Sequence, residues 1–262
     1  MSLDLKWSEQ WLLRFNSKKC KVLHLGYNNP KYNYLIKEGN VLNKLEESLC
    51  EKDLGVFVDC NLNFDEHIST IVKKARMLSG LILRTFHFKT SEILVPLFKA
   101  LIRPILEYAN PVWSPYELKD MTLIEKVQRH FTKQVQGMKD LNYSQRLASL
   151  NLPSLEYRRV RGDLIETYKI LNNKYDPLTT SSLLTLSSTK FLSKSHDFKL
   201  YKSRSNHKYY QMFFTNRIIS LWNGLPEHVI NAKSLNCFKN NIDQHLKSFK
   251  FATRLGLYTN NY

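Results

Sequence analysis

Cysteine and long apolar segments are both scarce in this sequence, and each shortage excludes a class of protein. The chain has four cysteines among 262 residues, and none of them belongs to a CxxC pair. No apolar run approaches the roughly 18 residues that a membrane-spanning helix requires, and the first residues contain no apolar core of a signal peptide. We therefore expect an intracellular protein of the cytoplasm or nucleus, not secreted, with reduced thiols and no membrane partner.

The motifs of common catalytic sites are also missing. The sequence contains no GxxxxGK[ST], GxGxxG, HExxH or GxSxG motif, and no two aspartates are adjacent. Adjacent carboxylates occur at Glu46 and Glu47 and at Asp65 and Glu66, near predicted element ends, where solvated surface and a helix cap are common uses. The residue pattern alone therefore gives no evidence for an enzyme.

Acidic residues are few relative to basic ones. The chain has 39 lysines and arginines against 23 aspartates and glutamates, a formal net charge of +16. Residues 190–262 are the most basic part, with 12 basic and three acidic residues. Such an excess favours a polyanionic partner, above all nucleic acid, over a small neutral substrate.

The segment 67–88 has the clearest periodicity in the chain. Apolar residues at helical spacing predict one core-facing side, formed by Ile68, Ile71, Val72, Ala75, Leu78, Ile82 and Phe86. The opposite side carries Lys73, Arg76, Gly80 and Arg84, with Lys74 beside it. Two interpretations are open. The basic side is either a solvated surface or a face that lies against a nucleic-acid backbone, with Gly80 permitting close approach.

The rest of the chain predicts a mixed fold, α+β and mostly α. We expect short strands in residues 20–59, with a hairpin turn at 38–40, and further helices at 3–15, 92–109, 118–136, 155–173 and 235–250. Pro104 is expected to kink the second of these helices. Residues 176–195 are rich in serine and threonine with little periodicity, which predicts a linker.

Two further basic clusters are candidate nucleic-acid contacts. One is the run of Arg158, Arg159 and Arg161 within a predicted helix. The other is the segment 199–217, which interleaves aromatic residues with cations that include Lys202, Arg204, Lys208 and Arg217. This composition is typical of surfaces that contact phosphates and stack bases, although the aromatic residues could instead be core.

Four segments share a pattern with one family, in that family's order. They are WSEQWLLRFNSKKCKVLHLG (7–26), DLGVFVDCNLNFDEHI (53–68), LFKALIRPILEYANPVWSPY (97–116) and FFTNRIISLWNGLPEHVINAKSLNCFKNNIDQHL (213–246). The last, with R-x-x-x-x-W-N-x-L-P followed by F-K-x-x-x-D, is the most specific. Together they resemble the C-terminal part of reverse transcriptases from non-LTR, LINE-type retrotransposons, most like the jockey-like and chicken-repeat-like groups.

The resemblance implies a division of the chain. Residues 1–65 would be the truncated end of a palm with its β-hairpin, 66–175 a helical thumb bundle, 176–196 a linker, and 197–262 a short basic C-terminal module. The family is an RNA-directed DNA polymerase that uses two Mg²⁺ ions held by aspartates, and in the family those aspartates lie upstream of the segment that matches Met1. The chain by itself is therefore expected to have no metal cofactor and no catalysis. The family's motif D lysine maps to Lys19, or to Lys18 if the register slips by one.

The function that the resemblance implies is binding of an RNA/DNA template–primer duplex without catalysis, alongside the missing palm and fingers of the parent polymerase. The expected contacts are Lys73, Lys74, Arg76, Gly80, Arg84, Arg158, Arg159, Arg161, Lys202, Arg204, Lys208 and Arg217. Two alternatives stay open, a free-standing nucleic-acid-binding module and a helical scaffold whose basic faces bind acidic proteins.

Overall fold

The computed structural model describes residues 18–38, 41–187, 198–204 and 208–252, together with Trp7, residues 10–12 and Asn16. The chain divides into two compact units, Met1–His67 and Ile68–Tyr262. The described elements are mostly helical, with short strand pairs, so the mixed and mostly α fold class is confirmed. Among the described residues, no helix combines the length and apolarity that crossing a bilayer requires.

The first unit contains three pairs of short strands. Their bounds are β1 Lys21–Leu23, β2 Leu35–Glu38, β3 Val41–Lys44, β4 Glu46–Ser48, β5 Cys50–Asp53 and β6 Val56–Asp59. β2 and β3 pair antiparallel, which confirms the predicted hairpin, although turn residues 39 and 40 lie outside the described part of the chain. β5 and β6 form a second hairpin, and β1 pairs in parallel with β4. Of the predicted helix at 3–15, only Trp7, Gln10, Trp11 and Leu12 are described, and the Trp11 amide donates to the Trp7 carbonyl at 3.0 Å.

A tight turn and a carboxylate shape the second hairpin and its exit. Leu54 and Gly55 between β5 and β6 both have positive φ, 43° and 88°, as the favoured two-residue hairpin turns require. After β6, the carboxylate of Asp59 accepts hydrogen bonds from the backbone amides of Asn61, Asn63 and Phe64, at 2.6–3.1 Å. These bonds fix the loop that leads into the first long helix.

The second unit is helical. Its elements are α1 Asp65–Thr85 (which begins in the first unit), α2 Ser91–Leu97, a π-helical turn Phe98–Ile102, α3 Arg103–Glu107, α4 Asn110–Trp113, α5 Leu118–Lys133, α6 Tyr143–Ser149, α7 Leu155–Leu171, α8 Pro177–Thr180, α9 Lys208–Gln211, α10 Phe214–Asn223, α11 Glu227–Ile230, α12 Leu235–His245 and a 3₁₀ turn Lys247–Phe249. The predicted helices at 67–88, 118–136, 155–173 and 235–250 are confirmed with shifted ends, as α1, α5, α7 and α12.

The predicted helix at 92–109 is confirmed as a helical run from Ser91 to Glu107, in which a π-helical turn separates α2 from α3. Pro104 has no N–H to donate to the carbonyl four residues earlier, so the α-helical ladder cannot pass through it. Just before it, the Arg103 amide donates to the Phe98 carbonyl, five residues back, and the π-helical turn results. Pro104 therefore shifts the hydrogen-bond register between α2 and α3.

One apolar cluster of the second unit is formed by α7 and the helices that follow it. Trp222 of α10 and Phe238 of α12 are fully buried, and the ring of Phe238 stacks on Tyr168 of α7 with centroids 4.2 Å apart. Residues 214–246 thus share one apolar cluster with α7. The predicted thumb, linker and C-terminal module are parts of one compact unit, because the C-terminal helices complete the core on one side of α7.

The predicted linker at 176–196 contains regular structure over its described part. Asp176 caps α8 by accepting from the Leu178 amide at 3.0 Å, and Leu184 is buried. Leu186 then forms an antiparallel bridge with Leu200. Leu184 is the one buried residue among residues 176–187, and Leu178, Leu183 and Leu186 are exposed, so this part of the predicted linker is a surface segment with one short helix. Residues 188–196 lie outside the described part.

Candidate nucleic-acid interface

Helix α1 is amphipathic as the sequence predicts. Ile68, Ile71, Val72, Ala75 and Ile82 are buried, whereas Leu78 is half-buried and Phe86 lies beyond the helix end. On the opposite side Lys73, Lys74, Arg76 and Arg84 are exposed, and Gly80 is half-buried. The apolar side of α1 therefore faces the core, and its cations lie on the solvent-exposed side.

Helix α5 has the same design. Ile124, Val127 and Phe131 are buried, and the ring of Phe131 packs against Phe98 with centroids 5.2 Å apart. The exposed side of α5 carries four groups that are cationic or can become so, Lys126, Arg129, His130 and Lys133. α5 thus presents a second basic surface.

The two basic surfaces meet in one groove. Arg76, Ser79 and Gly80 of α1 line it together with Lys126, Val127, Arg129, His130 and Lys133 of α5, and it encloses about 510 Å³. No carboxylate is among these lining residues. We name this feature the α1–α5 groove.

The cations of the α1–α5 groove are not neutralised within the described part of the chain. None of the ion pairs among the described residues involves Arg76, Lys126 or Lys133. Arg129 lies over the ring of Tyr143, 4.7 Å from its centroid, which holds the guanidinium without cancelling its charge. The groove is therefore a concentration of positive charge that attracts an anionic ligand.

The carboxylate of Glu125, although it belongs to α5, is turned into the core. It accepts hydrogen bonds from the Tyr143 hydroxyl at 2.5 Å and from the Leu155 amide at 3.1 Å. Burial raises the pKa of Glu125, and these hydrogen bonds and the charge of Arg159 oppose that rise. Burial next to Glu125 likewise raises the pKa of Tyr143. Glu125 is thus engaged inside the protein and leaves the groove without an acid.

The three arginines of the 158–161 cluster are engaged within the protein, with Arg158 and Arg161 half-buried and Arg159 buried. Arg158 forms a bidentate ion pair with Glu107, with Nη2 2.7 Å from Oε2. Arg161 pairs with Asp243 in the same way, 2.9 Å from Nη2 to Oδ2, and these hydrogen bonds raise the pKa of Arg161. Arg159 is buried, 4% exposed. The prediction that these three arginines contact nucleic acid was wrong, because Arg158 and Arg161 are paired with carboxylates and Arg159 is buried.

Arg217 is also a structural residue. It is buried and forms a bidentate ion pair with the buried carboxylate of Asp163. Lys202 and Arg204 are exposed. Lys208 begins α9, but its side chain lies outside the described part of the structure.

The proposed motif D lysine, Lys19, is exposed in a turn where its backbone amide donates to the Asn16 carbonyl at 3.0 Å. Within the described ranges, no three histidine, cysteine or acidic side chains cluster in a way that could hold a metal ion.

Sequence reasoning found Arg76 and Gly80 but not their counterparts on α5. Lys126, Arg129 and Lys133 are visible in the sequence as cations off the apolar side of a predicted helix. The available signal was that both helices carry cations opposite an apolar side. That the two basic sides adjoin depends on helix packing, which the sequence does not show.

Comparison with known proteins finds a similar uncharacterized protein in Caenorhabditis elegans. It is 28% identical over 186 residues, which cover 67% of this chain and 94% of that protein. No family model matches the chain, and no solved structure matches it. The function is therefore inferred from the groove and from the sequence resemblance.

Proposed function

We propose that this chain binds the sugar–phosphate backbone of a template–primer duplex, without regard to sequence, through the α1–α5 groove. The observation that carries this proposal is the lining of the groove, which joins Arg76, Lys126, Arg129 and Lys133 without a carboxylate. Nucleic acid is the polyanion whose regularly spaced phosphates can meet several such cations at once.

The resemblance to non-LTR reverse transcriptases supports the same function. In that family a primer-grip hairpin precedes the thumb, and here the β5–β6 hairpin leads directly into α1. We infer that residues 1–65 correspond to a palm end, 66–175 to a thumb and 197–262 to a basic C-terminal module, joined by 176–196. The palm and fingers of such a polymerase would be the protein partners of these segments.

The proposed role is to hold the duplex, not to transfer nucleotides. Polymerisation requires carboxylates that bind two metal ions at the attacking and leaving oxygens. The groove offers cations that neutralise phosphates and no such ligands. We therefore expect no incorporation by the chain alone on a primed RNA, and nucleotide incorporation would overturn this part of the proposal.

The salt dependence of duplex binding tests the groove. A variant with Arg76→Gln, Lys126→Gln and Lys133→Gln removes three charges from the lining but keeps Arg129 on Tyr143. Each phosphate contact contributes about 0.9 to the slope of log K against log salt on a duplex. If all three cations contact phosphates, the slope measured by fluorescence anisotropy should fall by about 2.7 in magnitude.

A matched control separates the groove from net charge. Lys139, Lys174 and Lys233 are exposed in the same unit and do not line the groove. Their triple replacement by glutamine changes the net charge equally and should leave most of the slope intact. If the salt slope is the same for both variants, the α1–α5 groove is not the duplex-binding site. A wild-type protein with no salt-steep affinity would instead favour a scaffold for acidic proteins.

A further inference from the structure

A second surface of the helical unit carries solvent-exposed aromatic rings. Tyr201, Tyr210 and Phe213 are 60%, 46% and 43% exposed, whereas their neighbours Leu200 and Phe214 are buried. These exposed rings leave apolar surface in water, and large rings gain most when they leave water. The rings could therefore stack against a ligand that has flat apolar faces.

The segment that carries Tyr201 is held rigidly against α10. The side-chain amide of Asn223 accepts a hydrogen bond from the Leu200 amide at 2.8 Å and donates one to the Leu200 carbonyl at 2.9 Å. The indole of Trp222 donates to the Phe198 carbonyl at 2.8 Å. Two adjacent α10 residues thus hold the backbone at Phe198 and Leu200, next to Tyr201.

The rings are carried by neighbouring parts of the chain. Tyr201 and Ser203 lie two residues apart in the segment that follows the bridge at Leu200. The Ser203 hydroxyl is 3.3 Å from the Tyr210 hydroxyl, which brings Tyr210 next to this segment. Phe213 follows one turn later, and its amide donates to the Tyr210 carbonyl at 3.3 Å.

Positive charge without acid accompanies the rings. The sequence has no aspartate or glutamate from residue 198 to residue 226. Lys202 donates from Nζ to the Ser220 hydroxyl at 2.8 Å, which positions the ammonium but leaves its charge uncancelled. Arg204 is exposed beside it. The chemistry combines flat apolar faces with cations at neighbouring positions.

We infer that this aromatic surface, formed by Tyr201, Tyr210 and Phe213 with Lys202 and Arg204, binds unpaired nucleotides of single-stranded RNA or DNA. Bases stack on the three rings, and the two cations contact the intervening phosphates. A duplex cannot use the rings, because its bases are already stacked on each other. The surface is therefore distinct from the α1–α5 groove, which contacts backbone alone, and the inference does not depend on the proposed function of that groove.

Comparison with an abasic strand distinguishes the contribution of base stacking to binding from the contribution of phosphate charge. The probes are labelled oligo(dT) and oligo(U) of about 12 nucleotides, within the usual site size for such surfaces, and an abasic strand of equal length. The variant Tyr201→Leu, Tyr210→Leu, Phe213→Leu keeps apolar side chains but removes the rings. We expect at least about tenfold weaker binding of the base-bearing strands, an unchanged salt slope, and no loss on the abasic strand.

Two further variants complete the test. Lys202→Gln with Arg204→Gln should reduce the salt slope on single strands by about 0.7 for each contact, on abasic and base-bearing strands alike. Tyr27→Leu with Tyr32→Leu, at exposed positions of the first unit, should change nothing. Far-UV circular dichroism and urea midpoints confirm that each variant is folded.

The inference fails if the ring variant binds all probes as wild type does, or if it weakens abasic and base-bearing strands equally. Oligo(U) against oligo(dT) distinguishes RNA from DNA as the source of the strand. The groove variant with Arg76, Lys126 and Lys133 replaced should retain the full difference between base-bearing and abasic strands. The two surfaces can therefore be disproved separately.

Discussion

Arg217 and Asp163 form a buried bidentate ion pair that joins α10 to α7. Nε of Arg217 is 2.9 Å from Oδ2 of Asp163, and Nη2 is 3.0 Å from Oδ1. The same guanidinium donates to the carbonyls of Met212 and Pro111 at 3.0 and 3.1 Å. Arg217 opens the R-x-x-x-x-W-N-x-L-P pattern that is the most specific part of the family resemblance. Its contacts indicate that this arginine serves packing and not nucleic-acid binding.

Replacement of Arg217 should therefore cost stability and not affinity. Arg217→Met leaves the carboxylate of Asp163 buried without its partner, and breaking such a pair typically costs about 3–5 kcal/mol. The double variant Arg217→Met, Asp163→Leu should recover part of this loss, since it leaves no lone buried charge. Urea denaturation measures both. If the Arg217→Met protein is as stable as wild type but binds the duplex more weakly, Arg217 is a nucleic-acid contact after all.

Glu125 should make the second unit less stable as pH rises. Burial raises its pKa above the ordinary value of 4.5, so the folded protein holds this proton more tightly than the unfolded chain does. The stabilising contribution is complete below about pH 4.5 and is lost as pH rises through the folded-state pKa. In Glu125→Gln this component is absent. The difference in urea midpoint between wild type and variant, followed upward from pH 4.5, should therefore change in favour of the variant. A difference independent of pH would show that Glu125 does not titrate in this range.

Helical periodicity predicted the long elements because each buries one side along its whole length. α1, α5 and α7 were found in this way. The short helix α6 was missed, although Asn142 and Gln145 form a capping box that the sequence displays as N-x-x-Q. The parallel pairing of β1 with β4 was missed because residues 21–23 find partners at 46–48, and nothing in either strand specifies the other.

The sequence predicts only part of the candidate site, because the partners of its charged residues are also distant along the chain. The arginines at 158 and 161 look like free cations in the sequence, but their carboxylate partners lie 51 and 82 residues away. The groove joins Arg76 to Lys126 across two separate helices. Charge can be read from a sequence, whereas its neutralisation or concentration depends on tertiary neighbours.

His67 should titrate far below an ordinary histidine. It is buried, and its Nδ1 accepts a hydrogen bond from the Phe57 amide at 3.4 Å, which requires a neutral ring nitrogen. Burial, with the charge of Lys52, lowers the pKa of His67 to about 4. The unfolded chain takes up a proton near 6.5, so the contribution of His67 to stability is present above that pH and is lost between 6.5 and 4.

Proton NMR of the imidazole signals measures this titration directly. The His67 resonance, assigned by its loss in His67→Gln, should move with a midpoint near pH 4. The variant should also lose less stability than wild type between pH 6.5 and 4. A His67 midpoint near 6.5 would mean that the imidazole is solvated and that its contact with Phe57 is not maintained.

Gly80 offers a test in which stability and affinity move in opposite directions. A Cβ at this position would meet only Nη1 of Arg84, at 3.8 Å, an ordinary contact. Gly80→Ala should therefore stabilise α1 by up to about 1 kcal/mol, because alanine is the better helix former. If the duplex backbone approaches α1 closely at the groove, the added methyl should at the same time weaken duplex binding severalfold.

Gly162, in the interior of α7, is the matched control for this substitution. A Cβ there would meet nothing within 4 Å, and Gly162 does not line the α1–α5 groove. Gly162→Ala should give the same gain in urea midpoint with unchanged affinity, because the helix gains the same propensity away from the ligand. If both alanine variants are stabilised and both bind the duplex as wild type does, the backbone does not approach Gly80. The cations of the groove would then contact phosphates from a distance that leaves room for a side chain.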